Sequence, residues 1–156
     1  MKKKLLFVLL ISVCLLTVIG CGKKEEKIET FKVEFAGVDV TPGEKLDISK
    51  INKDYDKSEV PDCALGGKGI VYTFEEVEIS TSEEGKIFSV YFIDPNMKTE
   101  EGISLGDDIS KVKEAYGNKD FSEGEDGLVY KKGNVEVSFV ISDDKVYSIE
   151  YTLIVE

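Results

Sequence analysis

The chain repeats itself, and that limits its possible architectures more than any other feature. Ile48-Ser-Lys-Ile-Asn-Lys-Asp-Tyr55 reads against Ile109-Ser-Lys-Val-Lys-Glu-Ala-Tyr116 at an offset of 61. Ile70-Val-Tyr72 matches Leu128-Val-Tyr130, and Val77-Glu-Ile-Ser80 matches Val135-Glu-Val-Ser138, both at 58. Lys86-Ile-Phe-Ser-Val90 matches Lys145-Val-Tyr-Ser-Ile149 at 59. Four blocks in one order at nearly constant spacing mark a tandem duplication of a unit of roughly 55–60 residues.

The pattern within each unit predicts one helix followed by three strands. Ile48, Ile51 and Tyr55 fall at i, i+3 and i+7, as do Ile109, Val112 and Tyr116, the spacing of one helical face. Asp47 and Asp108 stand at the N-cap positions, and Gly117 at the C-terminal stop of the second helix. Alternation with period two then marks strands around Ile70–Phe74, Val77–Ile79 and Phe88–Phe92, and again around Leu128–Tyr130, Val135–Ile141 and Tyr147–Leu153. Phe31, Val33 and Phe35 alternate as well and predict an added edge strand. The expected fold class is α+β: tandem α-β-β-β units forming one antiparallel sheet with both helices on one face. The first unit would span 31–100 and the second 101–156, in one compact body.

The N-terminus carries an address. Lys2, Lys3 and Lys4 precede an apolar run from Leu5 to Ile19, shorter than the about 20 residues a spanning helix needs. It reads as a signal peptide over 1–20, removed before folding. Val18-Ile19-Gly20-Cys21 resembles the lipobox of bacterial lipoproteins, which implies cleavage before Cys21 and a diacylglyceryl thioether on its sulfur. Two acyl chains, at about 0.8 kcal/mol per buried CH₂, anchor a chain without a transmembrane helix. Residues 21–30 are charged and would serve as a flexible tether. The expected location is extracytoplasmic, lipid-anchored to the cell membrane, and a Gram-positive surface is favoured. The partners implied are the membrane, through the lipid on Cys21, and a protein or envelope component.

Charge and composition exclude several functions. Losing three lysines and no acid with the signal takes the formal charge from −11 to −14. Such a chain repels a phosphate backbone, so no nucleic-acid partner is expected. All 20 basic residues are lysine, and there is no histidine. That excludes His-dependent nucleophilic triads and disfavours zinc. Cys14 leaves with the signal and Cys21 is taken by lipid, so Cys63 has no internal disulfide partner and reads as a small, half-buried hydrophobe. No cofactor is expected.

The run Gly102-Ile-Ser-Leu-Gly-Asp-Asp-Ile-Ser-Lys-Val-Lys-Glu-Ala-Tyr-Gly117 resembles the helix opening of small bacterial lipoproteins. Its element order is similar to the helix-then-strands repeat of β-lactamase inhibitory protein and of small outer-membrane-assembly lipoproteins. The resemblance spans 38–155 and implies protein binding through an open sheet face. In the first unit Thr41-Pro42-Gly43-Glu44-Lys45 replaces the tight glycine opening, and no glycine follows Tyr55. No inhibitory loop is matched, so inhibition of a β-lactamase is not implied.

Two sites emerge from the residues. Alternation assigns Val71, Ile87, Tyr91, Ile93, Val140 and Val146 to the outer sheet face, together with Thr73, Ser89, Val129, Ser148, Glu150 and Thr152. An apolar strip of this kind, centred on Tyr91, is the candidate binding face. Asn52, Asp54, Asp56 and Ser58 alternate like the start of a calcium loop, but Lys57 stands where glycine is needed and Cys63 where a bidentate glutamate is needed. The expected function is a non-enzymatic binding module. The alternative is a carboxylate- or calcium-dependent envelope enzyme or metal-binding module.

Overall fold

The computed structural model describes residues 29–61, 67–117, 121–124 and 127–155. The signal peptide, Cys21, the start of the tether and Cys63 lie outside the described residues.

The fold is mostly β, which corrects the α+β expectation. A small hairpin of β1 (Glu34–Phe35) and β2 (Val38–Asp39) comes first. Ala36 and Gly37, with φ of 52° and 77°, make its tight turn in the left-handed conformation that suits two-residue hairpins. Four strands follow: β3 (Asp56–Pro61), β4 (Lys68–Thr73), β5 (Val77–Ser82) and β6 (Ile87–Phe92). After a connector and α1 (Ile109–Tyr116) come β7 (Phe121–Gly124), β8 (Gly127–Lys132), β9 (Val135–Ser142) and β10 (Lys145–Leu153). Eight strands form one antiparallel sheet in the order β3-β4-β5-β6-β10-β9-β8-β7. Each half is a four-strand meander rather than the expected three strands. The halves join where β6 pairs with β10, with Tyr91 opposite Glu150. Those two residues are 59 apart, the offset of the repeat blocks around them.

The first expected helix does not form. Ile48–Lys50 makes a single 3-10 turn, Ile51 is already extended, and Asp56–Pro61 is a strand. The reason is local. After the shared Ile-Ser-Lys opening, the second copy continues with Lys113, Glu114 and Ala115, all good helix formers. The first continues with Asn52, Asp54 and Asp56, whose side chains compete for the backbone and favour turns. Gly117, at φ 71°, closes α1 by donating its N–H to Lys113 O at 3.0 Å, and the first copy has no equivalent glycine. Neither expected N-cap side chain makes the capping hydrogen bond to its helix. Asp47 instead accepts from the Ser49 hydroxyl at 2.6 Å, and Asp108 from Lys145 at 2.9 Å.

One face of the sheet is packed. A cross-strand row runs Lys57–Tyr72–Ile79–Val90–Tyr151–Val137–Tyr130–Phe121 over all eight strands. Against this face lie Phe31, Val33, Phe35, Val40, Leu46, Ile51, Ile103 and Val112, all buried. Most of that cover is extended or irregular chain, with α1 as its one full helix among the described residues. Fully burying each aliphatic or aromatic side chain contributes roughly 1.5–3 kcal/mol. The Tyr151 ring lies 5.9 Å from Phe92 and 6.2 Å from Phe31, and its hydroxyl is 3.2 Å from that of Tyr116. Burial pushes the Tyr116 and Tyr151 hydroxyls well above the usual phenol range.

Two β-bulges break the alternation at matching places. Ser80 pairs with Ser89 but Thr81 pairs with Ile87, leaving Phe88 extra. Val140 pairs with Ser148 but Ile141 pairs with Val146, leaving Tyr147 extra. An inserted residue moves everything beyond it to the opposite face. Ile87 is therefore 0% exposed and Val146 2%, both in the core, while Tyr147 is 71% exposed.

Candidate binding face

The second face of the sheet has no chain packed over it among the described residues. Its central row runs Asp56–Thr73–Glu78–Tyr91–Glu150–Ser138–Val129–Ser122 across all eight strands. A neighbouring row runs Ser58–Val71–Ser80–Ser89–Thr152–Glu136–Lys131. Small hydroxyl residues and carboxylates together make up most of both rows, so Tyr91 stands as the one aromatic ring in them, at the seam between the halves.

The expected face is corrected at two of its six residues. Tyr91 and Val71 are half-buried on the outer face, and Ile93 and Val140 are 40% and 39% exposed. Ile87 and Val146 do not belong there, because each precedes a bulge that reverses its side. No signal within one strand marks the bulge: adjacent apolar pairs occur at Ile87-Phe88 and Val146-Tyr147, but also at Val90-Tyr91, where the pairing is regular.

The electrostatics of the central row are one-sided. Tyr91 is flanked directly by Glu78 on β5 and Glu150 on β10. Thr73 donates its hydroxyl to Glu78 at 3.4 Å, and neither glutamate forms a salt bridge among the described residues. Lys131 is the lysine of these rows, and it is held 3.4 Å from Glu136. Elsewhere three lysines sit over aromatic rings: Lys53 over Phe35 at 5.6 Å, Lys57 over Tyr72 at 5.9 Å and Lys132 over Phe31 at 6.0 Å. Tyr91 has no such cover among the described residues.

A groove of about 310 Å³ opens at one corner of this sheet, where Val60, Gly69, Phe88, Thr152 and Val155 meet. Val60 is 38% exposed and Val155 53%. Alternation missed this groove for the same reason it misplaced Ile87: Phe88 is the bulged residue.

The calcium-loop candidates are not gathered. Asn52 and Asp54 lie in the exposed link before β3, while Asp56 and Ser58 are in β3, paired with Thr73 and Val71. Among the described residues no three of His, Cys, Asp and Glu are grouped to hold a metal. The lipobox residues Val18, Ile19, Gly20 and Cys21 lie outside the described residues, and no described helix is long and apolar enough to cross a membrane. The chain matches no family model, no curated protein and no solved structure.

Proposed function

We propose that this chain is an extracytoplasmic lipoprotein, anchored through lipid on Cys21, whose sheet binds a protein or envelope partner. The observation that carries the reading is the asymmetry of the sheet. One face is closed by the N-terminal segment and α1, while the other leaves Tyr91, Val71, Ile93 and Val140 accessible along a continuous surface. Lys2–Lys4, the short apolar run and Val18-Ile19-Gly20-Cys21 support the address. The absence of histidine and the scattering of the Asn52–Ser58 carboxylates and amides favour binding over catalysis.

Two measurements test it. Cys21→Ser is expected to move the chain from the membrane fraction to the soluble fraction, and unchanged membrane retention refutes lipid anchoring there. Affinity capture from solubilised envelope is expected to recover a saturable partner that is lost with Tyr91→Ala. A partner profile unaffected by that change refutes the assigned face.

A further inference from the structure

The geometry points to a lysine or arginine side chain of a partner polypeptide as what the Tyr91 position recognises. This rests on the binding-module reading and names the chemistry of its partner. Adjacent strands lie about 4.8 Å apart, so the Glu78 and Glu150 backbones stand roughly 10 Å apart with the Tyr91 phenol between them. A cation set over that ring meets the negative π-face and two carboxylates at once, and the ring shields part of it from water. The chain makes lysine–ring contacts at Phe35, Tyr72 and Phe31, but among the described residues no lysine covers this ring or pairs with these two carboxylates.

Charge complementarity selects the occupant. The chain carries a net charge of −11, so a second copy would bring like charge to a face that is already acidic. The groove at Val60, Phe88 and Val155 adds a place for an apolar side chain elsewhere on the same face of the sheet. A free ammonium ion has nothing to put there, whereas a polypeptide presenting a basic residue near a leucine or valine fills both. The occupant is therefore a basic protein segment.

The test uses the full chain in neutral detergent and a synthetic serine-rich peptide carrying two lysines and one leucine, with its glutamine and glutamate counterparts. The lysine peptide is expected to bind, and its affinity to fall about tenfold or more with Tyr91→Ala or with Glu78→Gln plus Glu150→Gln. Tyr91→Phe, which keeps the ring, is expected to bind nearly as wild type does. Glu83→Gln plus Glu84→Gln removes the same charge from the exposed β5–β6 turn and is expected to change binding little. Equal loss in the turn variant, unchanged binding in the Glu78/Glu150 variant, or no binding of the lysine peptide overturns the inference. Envelope capture with the same variants separates the two claims. A partner lost with Tyr91→Ala but kept by Glu78→Gln plus Glu150→Gln overturns cationic recognition and leaves the binding face standing. A partner insensitive to every outer-face change overturns both.

Discussion

Replacing Ile87 and Ile93 separately with alanine tests the bulge that decides which residues face a partner. Strict alternation puts both on the outer face, and the structure puts Ile87 at 0% exposure and Ile93 at 40%. Ile→Ala removes three carbons, worth about 0.8 kcal/mol each when buried, and in a packed core a cavity term adds to that. Ile87→Ala is therefore expected to cost about 3–4 kcal/mol, within the range of large-to-small core changes. Ile93 gives up much less buried area and leaves no closed cavity, so Ile93→Ala is expected to cost about 1 kcal/mol or less. For a body of this size, a gap of about 2 kcal/mol or more corresponds to roughly 6–10 °C in Tm. Thermal melts followed by far-ultraviolet circular dichroism on the two variants, side by side, read that gap directly. Equal shifts, or a larger loss from Ile93→Ala, would refute the bulge and return Ile87 to the surface. The second bulge gives the same contrast. Val146→Ala is expected to cost about 2 kcal/mol as a core truncation, and Tyr147→Ala about 0.5 kcal/mol or less.

Three further outcomes follow from single features. A Cβ at Gly127 would lie on the backbone carbonyl of Phe139, inside contact distance, so β8 and β9 would have to separate; Gly127→Ala is expected to cost about 3 kcal/mol or more, against a much smaller loss for Gly69→Ala, whose nearest neighbour is the movable Val60 side chain at 3.3 Å. A denaturant series that ranks these two the other way would contradict the pairing. Burial raises the Tyr116 and Tyr151 hydroxyls, so their neutral forms stabilise the fold below the ordinary phenol value near 10, and that contribution is lost as pH climbs above it. Part of the tyrosinate absorbance is expected to appear in one cooperative step with loss of the sheet signal, and ionisation of all 7 tyrosines with the sheet intact would contradict their burial. Lys111 beside Asp107, with help from the Ser104 N–H, holds the Asp107 carboxyl below the usual carboxylate range. Asp107→Asn is expected to cost about 1 kcal/mol at neutral pH, and the difference should vanish as acid protonates the wild-type carboxylate; a loss that persists in acid contradicts the role of the charge.

Much of the sheet was legible in the sequence because period-two alternation is a strong local signal. Leu128 and Tyr130, then Val135, Val137 and Phe139, are buried on one face as their spacing requires. The repeat located the blocks but concealed that they differ in kind. Asn52, Asp54 and Asp56 cancel the helical tendency of Ile48, Ile51 and Tyr55, and the chain extends into β3, a strand exposed at every residue. An edge strand with no buried side carries no hydrophobic pattern to read. β7 is short and nearly as exposed, and escaped for the same reason. The outer-face placement of Tyr91, Val71, Ile93 and Val140 was legible. That of Ile87 and Val146 was misread, because a bulge is a property of two paired strands and one strand's alternation does not show it. Glu78 emerged as a neighbour of Tyr91 only once the β5–β6 register was known, since the two are 13 residues apart in the chain.

A binding role for this protein requires the outer face to be the surface in contact with a partner. The most direct test places a photo-reactive phenylalanine analogue at position 91 of the lipidated chain in its own envelope, with the same analogue at exposed position 50 as the control. The expected result is a discrete protein adduct from position 91 that is absent from position 50 and from a chain also carrying Glu78→Gln and Glu150→Gln. The same adducts from both positions, or none from position 91 in a chain that melts normally, would contradict the assignment of this face.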